Sequence, residues 1–142
     1  MIIKDNIFKA HVDRELELPL SSSLIKAGFP SPADDFVDLK LDLNRELIKN
    51  PSATFFARVS GSSMIGDGVN DGDLLLIDRS IEPNCGSMAV CFLDGEFTLK
   101  RVDKRGDKIF LVPSNKDFNE IEVNQEDQFI IWGVVKYIIK KV

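Results

Sequence analysis

Histidine is almost absent from this chain: in 142 residues His11 is the only one. It lies in a charged amino-terminal segment and reads as a solvated side chain. A Ser-His-Asp or Cys-His arrangement in the rest of the chain is thereby excluded. Cysteine is equally scarce. Cys85 and Cys91 are too few for a disulfide framework and lack the spacing of a zinc site, so both read as reduced and structural. No run approaches the roughly 18 uninterrupted apolar residues of a membrane span. The opening MIIKDNIFKAHVDRE is broken by charge too often for a secretory signal, so a cytoplasmic protein is expected. Positive charge is also in deficit, with 18 Lys+Arg against 23 Asp+Glu and a net charge of −5. Holding DNA requires clustered Lys and Arg, so direct DNA binding is not expected. The glycines at Gly61, Gly66, Gly68 and Gly72 do not form a phosphate-binding spacing. No nucleotide, metal or other cofactor is suggested.

What is present is ample apolar material for a single core, 44% of the chain. The first 27 residues carry four basic and four acidic side chains among scattered apolar ones and read as a linker or arm. Pro30 and Pro32 fix their own backbones and push Phe29 and Ser31 into extended conformations, so Gly28 to Ala33 is predicted to be exposed, extended and free of helix. Val37, Leu39, Leu41 and Leu43 alternate with polar residues, a strand period. Leu43 and Leu47 then fit one or two helical turns ending before Pro51.

Beyond that point the chain reads almost wholly as strands. TFFARVS (54–60), DLLLID (73–78), SMAVCFL (87–93), EFTLKRV (96–102), KIFLVP (108–113) and FIIWGVVKYII (129–139) are short, rich in β-branched and aromatic residues, and bounded by turn signals. Asp94-Gly95 is a strong two-residue hairpin signal and Arg105-Gly106 a weaker one. The predicted fold is mainly β: a compact antiparallel domain from about residue 35 to 142, preceded by a flexible amino-terminal arm.

Two features could carry chemistry without histidine. The strand 54–60 ends at Gly61, and Ser62 and Ser63 follow before Met64, where a sharp turn can expose a hydroxyl beside converging N–H donors. A serine in such a place needs a base, and a lysine serves if burial or a nearby cation makes it neutral. Lys100 is the candidate. It sits in mid-strand, with Thr98 and Val102 as its same-face neighbours. Spacing alone does not pair the two, and each residue taken singly also reads as an ordinary turn or surface residue.

The pattern as a whole resembles the UmuD and LexA family of self-cleaving Ser-Lys peptidases, the S24 type. The resemblance rests on Ala27-Gly28 as a scissile pair, Ser63-Met64 after Ser-Gly, Asp71-Gly72-Asp73 before an apolar strand, and Lys100 in GEFTLKR. The intervals agree as well, 35 positions from Gly28 to Ser63 and 37 from Ser63 to Lys100. FPSPADDFVDLKLDLNRELIKNPSATFFARVSGSSM and the late WGVV resemble UmuD-type members in particular. An arm of 27 residues is too short for the helix-turn-helix domain of LexA-type repressors, which again favours the UmuD type.

This resemblance implies a fold of the LexA/UmuD carboxy-terminal type, with residues 1–27 an arm removed by self-cleavage and 28–142 the product that persists. It implies Ser63 as nucleophile, Lys100 as general base, and the backbone amides of Ser63 and Met64 as oxyanion donors. It also implies a homodimer, cleavage promoted by a RecA filament on single-stranded DNA in the SOS response, and partnership with UmuC in an error-prone translesion polymerase. Ser62 places a second hydroxyl beside the nucleophile. Other readings stay open on the residues alone: a non-enzymatic β-domain binding module, a LexA-like regulator of transcription, or a peptidase acting on other proteins.

Overall fold

A computed structural model describes residues 2–20 and 39–142. Two compact units are present, one made of Met1–Ala10 with Ser52–Val142 and the other of His11–Pro51. The smaller unit pairs strand β2 (Glu17–Leu20) antiparallel with β3 (Leu39–Asp42) and continues into a short helix α1 (Leu43–Leu47). The helix starts where the alternating pattern ends because Asp42 caps it, its carboxylate accepting from the N–H groups of Asn44 and Arg45. The stretch predicted to be extended, Gly28 to Ala33, and the Ala27-Gly28 bond lie outside the described residues.

The larger unit is one eight-stranded sheet in which every neighbouring pair is antiparallel. Its strands are β1 (Ile2–Lys9), β4 (Thr54–Val59), β5 (Leu74–Asp78), β6 (Met88–Leu93), β7 (Glu96–Arg105), β8 (Lys108–Val112), β9 (Ile121–Val123) and β10 (Phe129–Ile139). Their spatial order is β1-β4-β5-β10-β6-β7-β8-β9. The mainly antiparallel β fold expected from the pattern is the fold observed.

Six of these strands fall where alternation and β-branched content predict them. β1 and β9 do not follow from the pattern, because IIKDNIFK carries charge inside it and IEV is shorter than a readable period. The β6–β7 hairpin turns at Asp94 and Gly95, with φ of 48° and 89°, the type I′ geometry that such a pair favours. Between β7 and β8 the turn residues are Gly106 and Asp107, and Gly106 takes the positive φ of 63°.

Successive strand residues point to opposite faces, so each face of the sheet has its own apolar cluster. Val59, Leu75, Ile77, Val90 and Leu99 pack with Met64 and Val69 on one, and Ala89, Cys91, Val102 and Leu111 form the other. Burial on both faces explains why β5 and β6 read as nearly continuous apolar runs rather than strict alternations.

Candidate active site

The turn after β4 is built by hydrogen bonds at its base and by one buried anchor. Val59 donates its N–H to the Asp73 carbonyl and accepts from Gly72, at 2.9 and 2.8 Å. Gly61 takes a φ of 103°, a left-handed conformation suited to glycine, and its N–H donates to Asp71 Oδ1 at 2.9 Å. Asp73 is buried beside Lys140, which pairs with its carboxylate. Burial alone would raise the Asp73 pKa, but bonds from the Asn70 N–H and from Lys140 outweigh it and hold the group below the usual carboxylate range.

Met64 fills the first cluster and accepts from the N–H groups of Asp67 and Val69. A single 3-10 turn, Ile65–Asp67, follows and ends at Gly68. Arg101 of β7 ties this turn to the sheet, donating to Asp67 Oδ2 at 2.9 Å and to the Gly86 carbonyl at 2.6 Å.

Ser63 and Lys100, distant in sequence and unpaired by spacing, meet. Lys100 Nζ lies 3.0 Å from Ser63 Oγ, 2.9 Å from Thr98 Oγ1 and 3.0 Å from the Leu99 carbonyl. Ser63 is 1% and Lys100 4% exposed, whereas Ser62 is exposed. Thus the buried one of the two adjacent serines is the one that reaches the lysine.

Lys100 has Ala89 as its cross-strand partner in β6, with Cys91 opposite Thr98, so the side chain runs over small residues. Among the described residues no carboxylate forms a salt bridge with it. Burial therefore lowers its pKa, with Cys91 acting in the opposite sense. A neutral amine has two N–H groups and one lone pair. The Leu99 carbonyl can only accept and Thr98 can also accept, so the lone pair is left to receive the proton of Ser63.

Both cysteines are free; Cys91 is buried and Cys85 is exposed rather than packed. Burial pushes the Cys91 thiol up to about 12, against a lowering effect of Lys100, so it stays a thiol near neutrality and does not compete as a nucleophile. A cleft of about 200 Å³ opens onto Thr98 and Lys100, walled by Leu93, Phe97, Phe118 and Ile121. Its largely apolar lining suits a small, extended stretch of peptide.

The candidate oxyanion donors follow from the same turn. Among the described residues neither the Ser63 nor the Met64 N–H has a hydrogen-bond acceptor. His11 is remote from this chemistry in kind as well as in sequence: it is exposed, in the smaller unit, with Asp13 at 3.6 Å. Thr98 was legible as a same-face neighbour of Lys100. Ser114 and Asn115, which hold the backbone of the serine turn, carry no local signal because they lie far along the chain, Asn115 being 53 residues beyond the Ser62 it bonds. Among the described residues no group of His, Cys, Asp and Glu could hold a metal ion, and no helix is long and apolar enough to cross a membrane.

Comparison with known proteins points the same way. The family described as Peptidase S24-like matches residues 19–136. Protein MucA of Salmonella typhimurium is 39% identical over 137 residues, covering 95% of this chain and 93% of that protein. Protein ImpA of Shigella flexneri is 42% identical over 123 residues, 87% of this chain and 83% of its own. Protein SamA of Salmonella typhimurium is 39% identical over the same length, covering 87% and 85%.

Proposed function

The chain belongs to the S24-like peptidase family, and on that premise we propose that it is a UmuD-type protein that cuts its own backbone between Ala27 and Gly28. The observation that carries the reading is the buried Lys100 amine 3.0 Å from Ser63 Oγ. In the reaction, neutral Lys100 removes the proton of Ser63 as Oγ attacks the Ala27 carbonyl carbon. The N–H groups of Ser63 and Met64 hold the oxyanion. As the tetrahedral intermediate collapses, Lys100 returns the proton to the Gly28 nitrogen and the C–N bond breaks. Water then attacks the Ala27 acyl ester, giving up its proton through Lys100 and freeing Ser63. Residues 1–27 leave as a peptide and 28–142 persist.

Because the substrate is part of the same molecule, its effective concentration is high, and a modest site suffices once the bond is docked. Control then lies in docking and in deprotonation of Lys100. The family resemblance supplies the wider role: an SOS-response protein of the cytoplasm, a homodimer whose cleavage is promoted by a RecA filament on single-stranded DNA, and whose trimmed form joins UmuC in error-prone translesion synthesis. The acidic net charge of −5 supports a link to DNA through those partners. A binding module in which Ser63 and Lys100 are structural is the reading this one displaces.

The test is intact mass before and after incubation near pH 10, and with activated RecA. A fragment starting at Gly28 is expected, together with a 27-residue peptide. Ser63→Ala and Lys100→Ala are each expected to abolish cutting, and His11→Ala to leave it unchanged. Cutting at another bond, or full activity of Lys100→Ala, refutes the proposal.

A further inference from the structure

A loop that takes no part in the Ser63–Lys100 contact holds the backbone on which the candidate oxyanion donors sit. Asn115, in the segment that follows β8, donates from Nδ2 to the Ser62 carbonyl at 2.8 Å. The orientation of its amide is fixed by a second bond, since Oδ1 accepts from the Asp117 N–H at 3.0 Å. Reversing the amide would set a nitrogen against that N–H and an oxygen against the Ser62 carbonyl. The adjacent Ser114 N–H donates to the Ser63 carbonyl at 2.8 Å, and the Ser114 carbonyl accepts from Gly66 at 2.6 Å. This last approach is so close that a Cβ on Gly66 would lie 2.7 Å from the Ser114 oxygen.

The geometry points to Asn115 as a positioning residue for self-cleavage, one that aims the oxyanion donors by holding the serine turn from behind; this deepens, and rests on, the Ser63–Lys100 reading. In a trans peptide the C=O and N–H lie antiparallel in one plane. Anchoring the Ser62 carbonyl therefore turns the Ser63 N–H away from Asn115. Anchoring the Ser63 carbonyl turns the Met64 N–H away from Ser114 in the same manner. Neither N–H has an acceptor among the described residues, so both are available to a developing oxyanion. Such donors act by being aimed before charge develops rather than by reorganising as it does. Of the tethers between the two segments, the one from Asn115 is made by a side chain, so substitution can remove it while leaving the backbone bonds of Ser114 in place.

The experiment uses the full chain and reads the self-cleavage rate against pH by intact mass, beside urea unfolding. Asn115→Asp keeps the size of the side chain and the oxygen that faces Asp117 but loses the donor to Ser62; Asn115→Ala loses both. Each is expected to lower the alkaline plateau roughly tenfold to a hundredfold, short of the about 10²–10³-fold seen when a donor itself is removed. The midpoint of the profile, which Lys100 sets, is expected to stay in place in Asn115→Ala, which adds no charge. A purely structural role would lower stability to urea and leave the rate of the folded protein unchanged. A wild-type plateau in both variants, with Ser63→Ala inactive, overturns the role of Asn115 alone. In the uncharged Asn115→Ala, a plateau that falls together with a displaced midpoint also overturns it, because the change would then act through Lys100. Cutting by Ser63→Ala would instead remove the Ser-Lys reading and this inference with it.

Discussion

Replacing Lys100 by Met makes the protonation of the candidate base measurable as a stability. Lys100 is 4% exposed, and burial holds its pKa below that of a free lysine. In the unfolded chain the group returns to about 10.4. Between the lowered folded value and about 10.4 the unfolded chain binds more protons than the folded one, so stability rises with pH across that window. Below the window both states carry the proton and the buried ammonium is a constant penalty; above it both have lost it. Lys100→Met has no such proton. The stability of the parent minus that of the variant is therefore expected to climb with pH, by up to about 1.4 kcal/mol per pH unit inside the window. Both proteins carry Ser63→Ala, so that self-cutting does not intrude at alkaline pH. Urea unfolding at steps from about pH 7 to about 10.5 is followed by the fluorescence of Trp132, the only tryptophan. That ring packs edge-on against Phe55 and Phe97, with centroids 5.0 and 5.7 Å away, and so reports the unit that holds Lys100. A difference that stays constant over the whole range refutes the buried neutral base, because Lys100 would then titrate alike folded and unfolded.

Thr98→Val removes the hydroxyl 2.9 Å from Lys100 Nζ. An ammonium needs three acceptors and a neutral amine two, so the charged form loses more, and the rise of self-cleavage with pH is expected to move to lower pH, with Thr98→Ser restoring it; an unmoved midpoint counts against the contact. Leu99→Ala empties a fully buried position in the first apolar cluster and is expected to cost about 2–5 kcal/mol in urea unfolding. A loss under about 1 kcal/mol would show that this strand is not packed as described.

The strands of the β domain were legible because turn chemistry and local pattern agree. Asp94-Gly95 has to turn, MAVCFL and EFTLKRV on either side have to extend, and their pairing follows. β1 was not legible, for its stability is non-local: Ile7 and Phe8 pair with Ala57 and Phe56 of β4, some 50 residues on, and nothing within IIKDNIFK announces that partner. The short β9 is likewise defined by Ile109, Phe110 and Leu111 across from it rather than by its own residues. The amino-terminal segment thus lends the sheet a strand that its own composition does not announce.

The site divides in the same way, and the sheet order shows why spacing could not join its two halves. Ser63 follows β4, and Lys100 sits in β7; β5, β10 and β6 lie between those strands. In a flat sheet four strand spacings of about 4.8 Å would separate them by roughly 19 Å. The four residues from Val59 to Ser63 span at most about 14 Å when fully extended, and here they are folded into a turn. With those residues folded into a turn, Ser63 reaches Lys100 at the observed 3.0 Å more readily if the sheet curls. It does: β1, at the edge beyond β4, touches β7, and Ile7 packs into the cluster that holds Leu99. Curling brings the end of β4 across to β7, and the bonds from Ser114 and Asn115 fix the serine turn there. A motif reader can name Ser63 and Lys100 by resemblance. Their approach depends on strand order and curvature, which arise from contacts between residues far apart in the chain.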